Sequence, residues 1–263
     1  MTPSYFFACI AVFVSAYTLN VIYVSVFYHR AFTHRAIQLH PWLEFFVIHT
    51  GSWVTGLDPK GWACMHRLHH QYSDTPMDPH SPTINGIWSV LPRQLYSYKK
   101  TLAALILKRK SYLSVVSDID FPVNWLNKKH LWTIPYLLQA AIAITLGITF
   151  DAWLLAACYW IGMMSHPIQG WMVNALAHRY GYRNFNTPDN SKNNSAVAWL
   201  VFGEGYQNNH HHLPSSAKFS ARPSEVDLGY LICRIFSIFG LLSFSHPVPT
   251  SDEWLPKSPQ VLQ

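Results

Sequence analysis

The chain has 263 residues, of which 50% are hydrophobic, 15% aromatic and only 12% charged. Soluble domains carry about 25% charged residues, so this composition indicates a membrane protein. The net charge of +6 comes from scattered basic residues, which excludes nucleic acid as the expected partner and fits a surface against anionic lipid headgroups. The four cysteines form no CxxC pair and are expected to be reduced, apolar residues.

The first apolar segment, residues 4–28, contains no charge. At about 1.5 Å per residue, a helix of this length crosses a bilayer core of roughly 30 Å with some tilt. It leads directly into "YHRAFTH", which contains His29 and His34. A gap of five residues places two side chains about 140° apart on an ideal α-helix. We therefore expect the helix to end or bend at this point.

A second histidine motif, "HRLHH", follows the apolar segment 39–57. His66, His69 and His70 have the spacing i, i+3, i+4, which places all three imidazoles on one face of a helix. Trp62 stands four residues before His66 and shares that face. It is a candidate wall residue for any cavity at this site, although packing is the commoner role of a single tryptophan in so aromatic a chain.

Two further apolar segments, residues 131–149 and 152–173, are separated by a tight turn and predict a helical hairpin. Asn174 and His178 follow at the end of the second segment with the spacing i, i+4. This pair alone is weak evidence for a site, because asparagine and histidine are common at helix ends.

The stretch "GEGYQNNHHH" repeats the spacing of the second motif. Gln207, His210 and His211 stand at i, i+3 and i+4, with glutamine in the first position. His212 lies about 140° round the helix from Gln207 and does not fit this register. A register shifted by one residue would instead use Asn208, His211 and His212, and it remains an alternative.

The distribution of basic residues predicts the orientation in the membrane. Residues 29–130 contain 12 Lys and Arg, the tail after residue 174 contains seven, and the N-terminus and hairpin turn contain none. By the positive-inside rule, the middle segment and the tail are cytoplasmic. Residues 39–57 and 228–245 are also apolar. A single crossing by either one would separate the histidine motifs, so we expect both to be interfacial or re-entrant.

The expected fold is an all-α integral membrane protein with about three to four transmembrane helices. A cytosolic helical cap, formed by residues 58–130 and 174–263, would hold a histidine-rich dimetal site on the cytoplasmic face. No internal repeat or change of composition divides the chain, so residues 1–263 are expected to form one domain.

Four motifs on one predicted membrane face supply eight histidines and two amides. A tetrahedral zinc site needs four ligands, so this number of donors suits two metal ions. Neutral imidazole binds Zn, Cu, Fe or Ni, and ligand type does not select among them. Supporting or interfacial roles are expected for the remaining histidines, among which His80 in "DPHSP" is the strongest candidate for a contact with a ligand. These are His40, His49, His80, His130, His166, His212 and His246.

Together, the segments "HRAFTH", "HRLHH", "SDTPMDPHS", "NALAHRYGYR" and "GEGYQNNHH" resemble the successive motifs of the membrane fatty acyl desaturases. The resemblance is to the acyl-CoA Δ9 (stearoyl-CoA) type, in a bacterial-like QNNHH variant, and it covers residues 22–222. It implies a mushroom-like helical membrane protein with two iron ions that activate O₂. It also implies removal of hydrogens from two adjacent CH₂ groups, which leaves a cis double bond.

The resemblance also implies a set of site residues. Asn174 matches an asparagine that holds one metal ion through water, and Gln207 stands where the family usually has histidine. A glutamine there is either a weaker ligand or leaves the position open. Trp62 becomes a candidate wall of an apolar tunnel for the acyl chain. The positions that match metal ligands are His29, His34, His66, His69, His70, His178, His210 and His211.

Several functional questions stay open at the level of sequence. The expected substrate is a fatty acyl thioester or a lipid acyl chain. Electrons are expected from an external carrier of the cytochrome b5, ferredoxin or rubredoxin type. The family usually has a further hydrophobic helix before the first motif, so this chain is expected either to need a partner subunit or to function without that helix.

A di-iron hydroxylase or ketolase with the same site is the alternative enzyme. A membrane metal-binding or transport protein is the alternative class, which histidines outside the spans disfavour.

Overall fold

The computed structural model describes residues 2–78, 80–82, 86–247, 249 and 254. Parts of the segment 79–85, and most of the predicted cap beyond residue 247, lie outside the described residues. The chain is mostly helical, as predicted. The helices are α1 (Pro3–Val21), α2 (Pro41–Thr55), α3 (Pro59–Tyr72), α4 (Val90–Ile106), α5 (Lys110–Leu113), α6 (Trp125–Lys128), α7 (Ile134–Phe150), α8 (Trp153–Met163), α9 (His166–Trp171), α10 (Ala177–Arg179), α11 (Ser195–Leu200), α12 (Gln207–His212) and α13 (Leu228–Ile238).

Helix α1 continues without a break into a π-helical stretch, Ile22–Thr33. The combined helix, Pro3–Thr33, has 31 residues. Among the described residues, it is the one helix long and apolar enough to cross a membrane. It contains the whole of the predicted span 4–28 and extends beyond it to the first histidine motif.

The π-helical stretch changes the expected relation between His29 and His34. A π-helix repeats its backbone hydrogen bond every five residues, which brings residues five apart onto one face. The His34 amide accordingly donates to the His29 carbonyl at 3.0 Å, and the two rings lie 4.8 Å apart. The helix ends at Thr33, where an end was expected, but it widens before that point instead of separating the two histidines.

The predicted hairpin is formed by α7 and α8, with Asp151 in a left-handed turn between them. Helix α8 packs closely against α1 at Gly162, where an added Cβ would lie 2.9 Å from the Phe13 carbonyl oxygen. Near the same place, the Asn20 amide donates to the Met163 carbonyl at 2.8 Å. The hairpin and the first long helix therefore form one packed helical unit.

The predicted span 152–173 is not one continuous helix. Helix α8 ends at Met163, and α9 begins at His166. Pro167 at the start of α9 has no backbone N–H, so it cannot donate a hydrogen bond to the preceding turn. A short π-helical turn, Met172–Leu176, then follows and carries Asn174. Helices α7 and α8 are apolar but shorter than the first long helix.

The predicted interfacial segments contain α2 and α13, both with large exposed apolar side chains. On α2 these include Trp42 and Phe45, and on α13 they include Leu231 and Ile238. The predicted segment 228–245 is helical only to Ile238. Its end forms the strand β2 (Leu242–Phe244), which pairs antiparallel with β1 (Ile37–Leu39). This two-stranded sheet is a small exception to the expected all-α fold.

A fully buried arginine joins the first histidine motif to the last part of the described chain. The Arg30 guanidinium donates to Glu204 at 2.8 Å and to Asp227 at 3.0 Å, and it lies 3.8 Å from the centre of the Phe219 ring. Removing one partner from a buried ion pair is strongly destabilising, because it leaves a charge without compensation. This network fixes the segment that carries the last histidine motif against the end of the long helix.

Candidate metal centre

The eight predicted histidines come together at the end of the long helix in two adjacent groups. The five-histidine cluster contains His29, His34, His66, His70 and His210, and the three-histidine cluster contains His69, His178 and His211. Within each cluster, the potential ligand nitrogens all lie within 4.8 Å of one another. The clusters meet where the rings of His70 and His211 lie 4.3 Å apart.

Helix α3 contributes to both clusters. Its first turn is capped by the Asp58 carboxylate, which accepts from the Gly61 amide at 2.8 Å. One turn apart on this helix, His66 and His70 enter the five-histidine cluster, while His69 enters the other. Helix α12 divides its adjacent histidines in the same way. The three histidines of α3 therefore do share one helical face, as the spacing predicted, but this face lies between the two clusters.

Each histidine of the three-histidine cluster is held by its own carboxylate through Nδ1. The distances are 3.0 Å for His69 to Asp78, 3.1 Å for His178 to Asp74 and 2.6 Å for His211 to Asp189. An Nδ1–H donor to a carboxylate leaves the lone pair of Nε2 free, as in metal-binding histidines. Each of the three Nε2 atoms is buried and has no hydrogen-bond partner among the described residues. The three ring centres lie 5.1–5.3 Å apart.

Burial and these pairings together shift the pKa values of several of these groups. Burial alone would raise the pKa of the carboxyls, but contact with the histidines outweighs it and lowers the pKa of Asp78 to about 2. The pKa values of Asp74 and Asp189 are also lowered. Burial would lower the pKa of His69, but attraction to Asp78 outweighs it and raises the pKa. Burial lowers the pKa of His211 to about 4 despite its carboxylate partner.

Sequence reasoning did not assign roles to these carboxylates. Asp74 and Asp78 stand in the quoted motif "SDTPMDPHS", but the loop geometry that turns them back to the histidines is not visible in the spacing. Asp74 has a left-handed backbone (φ 59°) and accepts from the Asn190 amide at 2.8 Å. Asp189 accepts from the Thr187 hydroxyl at 2.8 Å. Hydrogen bonds to groups other than the histidines thus also hold these acids in place.

The five-histidine cluster is organised differently. Its Nε2 atoms face one another at 3.0 Å between His29 and His210, 3.0 Å between His66 and His70, and 2.9 Å between His70 and His210. Only His29 has a carboxylate partner there among the described residues, Glu204 at 2.6 Å.

The environment of this cluster favours neutral imidazoles. Burial, followed by repulsion from neighbouring histidines, lowers the pKa values of His34, His66, His70 and His210 well below the ordinary value. A neutral imidazole is the form that binds a metal ion. The cluster therefore presents ligands that need not lose a proton first near neutral pH.

Both clusters fit metal ions. At the ~2.0–2.1 Å typical of metal–imidazole bonds, neighbouring ligand nitrogens lie about 3 Å apart. The Nε2 contacts of the five-histidine cluster have this separation. In the three-histidine cluster, buried nitrogens without partners converge, an arrangement that is costly unless a cation or water occupies the centre. The histidines can thus hold metal ions in two adjacent positions.

Asn174, Gln207 and His80 lie at the edges of these clusters. Asn174 is buried, and its Oδ1 has no partner among the described residues. Gln207 donates from Nε2 to the Glu204 carbonyl at 2.8 Å, and its buried Oε1 likewise has no described partner. The His80 ring stacks on His69 at 4.7 Å, and burial lowers the pKa of His80 to about 3. His80 was expected to contact a ligand residue, and its ring stacks on His69 of the three-histidine cluster.

The register of "GEGYQNNHHH" agrees with the first of the two alternatives. His210 and His211 enter the two clusters, whereas His212 stacks on Phe185 at 4.1 Å. The Asn208 side chain accepts from the backbone amides of Asn184 and Phe185, both at 2.8 Å. Asn208 therefore anchors the helix to a neighbouring loop, a role that sequence reasoning did not anticipate.

A mostly apolar cavity adjoins the five-histidine cluster and, through His80, reaches the edge of the three-histidine cluster. Its wall includes His29 and His66 from the five-histidine cluster, as well as His80 and Asn174. Trp62 lies in the same wall and stacks on His66, with ring centres 5.0 Å apart and an angle of 10° between the planes. Trp62 is thus part of the cavity wall beside the five-histidine cluster. Much of the remaining lining is aliphatic, with Val21, Val24, Leu57, Met65, Val173 and Val201.

A long apolar helix, two buried groups of histidines and an apolar cavity beside them define a membrane-associated, histidine-rich oxidoreductase. The chain belongs to the fatty acid desaturase family, whose family model matches residues 3–223. Its chemistry is accordingly the desaturation of fatty acyl chains.

Three relatives illustrate the range of the family. The chain is 32% identical to an sn-1 stearoyl-lipid 9-desaturase of Anabaena variabilis, over 83% of this chain and 76% of the relative. It is 31% identical to an acyl-CoA C20 Delta5-desaturase of Anemone leveillei, over 90% of this chain and 72% of the relative. It is 29% identical to Delta-9 acyl-lipid desaturase 2 of Arabidopsis thaliana, over 86% of this chain and 70% of the relative.

Proposed function

We propose that this chain is an O₂-dependent, di-iron desaturase that introduces a cis double bond at or near the Δ9 position of an acyl chain. The observation that carries the proposal is the cavity, because its wall contains His29 and His66 together with His80, which stacks on the second cluster. An acyl chain in this cavity would lie beside both candidate metal positions. Relatives that act at Δ9 on lipid-linked chains support the position of the double bond.

The ligands in this proposal are the eight clustered histidines, with Asn174 reaching one ion through water and Gln207 adjusting the coordination. Bound iron would supply the O₂-dependent oxidation that removes two hydrogens from the chain. Asp74, Asp78 and Asp189 hold the Nδ1 protons of the three-histidine cluster, which keeps each Nε2 directed at the metal position. The aliphatic part of the cavity wall excludes water and holds the acyl chain.

We also propose the arrangement in the membrane. Residues 4–28, 131–149 and 152–173 cross the bilayer, while 39–57 and 228–245 lie at the interface. The exposed apolar side chains of α2 and α13 support the interfacial assignment. The metal centre then faces the cytoplasm, where an external carrier of the cytochrome b5, ferredoxin or rubredoxin type delivers electrons. The substrate is an acyl thioester or a lipid acyl chain.

The test is expression in a host that lacks its own desaturase, followed by lipid analysis that locates double bonds. The expected product is a monounsaturated chain with a cis double bond at or near Δ9, together with about two iron ions per chain in the purified protein. The His69→Ala variant should yield no product, because it removes one of only three histidines from its cluster. His49→Ala is the matched control, because His49 is an exposed histidine outside both clusters. Unchanged acyl chains despite bound iron and a working reductant would contradict the proposal, and a gained oxygen atom would indicate a hydroxylase.

A further inference from the structure

One part of the cavity wall is polar. It lies at the start of α9, where His166 and Gln169 line the cavity, and Gln94 of α4 lines it as well. His166 is 7% exposed and Gln169 is 2% exposed, so neither side chain is solvated from outside the protein. These residues belong to neither histidine cluster, and desaturation does not by itself require them.

Gln169 has a fixed orientation. The Ser165 hydroxyl donates to the Gly162 carbonyl at 2.6 Å, so it must accept from Gln169. The atom that faces it is accordingly Nε2, at 2.6 Å. The other end of this amide, Oε1, is buried without a hydrogen-bond partner among the described residues. Because Ser165 fixes Nε2 of Gln169, the Oε1 atom remains a buried acceptor without a hydrogen-bond partner among the described residues.

His166 is also unsatisfied. Within the described part of the chain, neither Nδ1 nor Nε2 has a hydrogen-bond partner, and both atoms are buried. Next to it, the Gln94 amide donates to the Pro167 carbonyl at 2.7 Å, and its Oε1 occupies the space that a Cβ on Gly170 would approach to 3.0 Å. Helix α4 is thereby tied to the start of α9, which keeps the polar wall in place.

The free hydrogen-bonding groups define the chemistry of a ligand. A neutral imidazole offers one donor and one acceptor, and Gln169 adds a second acceptor. A carbonyl oxygen would satisfy only the donor and leave both acceptors unpaired. A hydroxyl group has one donor and two lone pairs, so it can accept from His166 and donate to Gln169 or to the second ring nitrogen. A carboxylate would place its charge against two acceptors.

We propose that His166 and Gln169 form a subsite for a hydroxyl group carried by the acyl chain, so that the preferred substrate is a hydroxylated fatty acyl chain. This inference rests on the proposed function. Because the same cavity reaches His29 and His66, a hydroxyl fixed at this subsite would set which CH₂ groups lie beside the metal centre. The subsite therefore governs both the choice of chain and the position of the double bond relative to the hydroxyl.

The experiment is a competition in membranes from a desaturase-free host that expresses the full chain. Isotope-labelled stearoyl chains compete with a positional series of monohydroxystearoyl chains, and the ratio of desaturated products is measured. We expect at least one hydroxy isomer to be preferred by about tenfold or more, because a buried polar site penalises a ligand that lacks its partner group. The H166L/Q169L double variant should bring that ratio down to about one. His166→Asn, which retains a donor and an acceptor, should restore part of the preference.

Gln139→Leu is the matched control for the loss of a buried glutamine. Gln139 is 5% exposed and donates to the Trp53 carbonyl at 2.8 Å, but it does not line this cavity. Its substitution should reduce the amount of folded protein without changing the product ratio. If no hydroxy isomer is preferred over stearoyl in the unmodified protein, the proposed subsite is contradicted, because water alone then satisfies the polar wall. If no chain of either kind is desaturated, the proposed function itself fails.

Discussion

The two histidine clusters lie side by side but are held in place by different interactions. In the three-histidine cluster, every Nδ1 atom contacts a carboxylate, and the three Nε2 atoms have no other described partner. In the five-histidine cluster, imidazoles pack against imidazoles, and Glu204 is the one carboxylate that contacts a ring nitrogen within the described residues. The three-histidine cluster has few candidate ligands, and acids orient them. The five-histidine cluster has more candidate ligands, and close packing and burial orient them.

This difference predicts which cluster loses a metal ion more readily. A metal position with three histidines has no spare ligand, whereas a position with five keeps four after one is lost. Four is the number that a tetrahedral site requires. The acids also place more negative charge around the three-histidine cluster, which stabilises a cation there. Loss of a ligand should therefore remove the ion from one cluster more readily than from the other.

The largest effect is expected for His69→Ala. This change leaves two histidines in the three-histidine cluster, so one of two iron ions should be lost, and desaturated product should fall by more than about 100-fold. His34→Ala is the comparison variant, since it leaves four histidines in the other cluster. It should retain more iron than His69→Ala. Iron content by elemental analysis and product by lipid analysis test both variants, and equal loss of iron from the two would contradict the proposed asymmetry.

A smaller effect is expected when an orienting acid is neutralised. Asp189→Asn removes the charge that holds His211 while preserving the size of the side chain, and it should weaken metal binding by about 10–100-fold. Asp118→Asn is a matched control, because Asp118 pairs with Arg67 at a site where it is 46% exposed. Exposed pairs contribute about 0–1 kcal/mol. Metal titration of both proteins should show weakened binding only for Asp189→Asn; wild-type affinity in that variant would rule out an orienting role.

The next effect in size is a dependence of the stability of the metal-free protein on pH. Burial lowers the folded-state pKa of His66, His70 and His210, so the unfolded chain takes up protons first as the pH falls below about 6.5. Stability should therefore fall as the pH decreases from about 7 to about 5, by about 1 kcal/mol per histidine one unit below 6.5. Bound metal should oppose this loss, because it binds the neutral imidazoles. Thermal unfolding of metal-free and iron-loaded protein across this pH range measures the difference, and a flat profile for the metal-free protein would contradict the lowered pKa values.

The sequence predicted which histidines come together better than it predicted how they are grouped. The spacing of His66, His69 and His70 places them on one helical face, but periodicity cannot show that this face lies between two centres. An α-helical repeat would separate His29 from His34, so the helix was expected to end or bend there. The spacing does not reveal the π-helical backbone that brings them onto one face. Asp74 and Asp189 reach their histidines through loops, and a loop path is not encoded in a repeating pattern. Segments with a regular period were therefore predictable, while irregular backbone was not.

The smallest effect is expected at Gln207. This side chain is fully buried, donates to the Glu204 carbonyl at 2.8 Å and leaves Oε1 without a described partner. Gln207→His keeps a possible donor to Glu204 and replaces the free oxygen with a ring nitrogen, which is a stronger ligand for iron. We expect both ions to be retained and product formation to change measurably, by up to about tenfold, the lower end of the effects seen when the surroundings of a ligand are altered. Gln207→Leu, which removes both polar atoms, separates the hydrogen bond from the ligand role. If Gln207→His leaves activity and metal content unchanged, the position tolerates either residue and does not adjust the coordination.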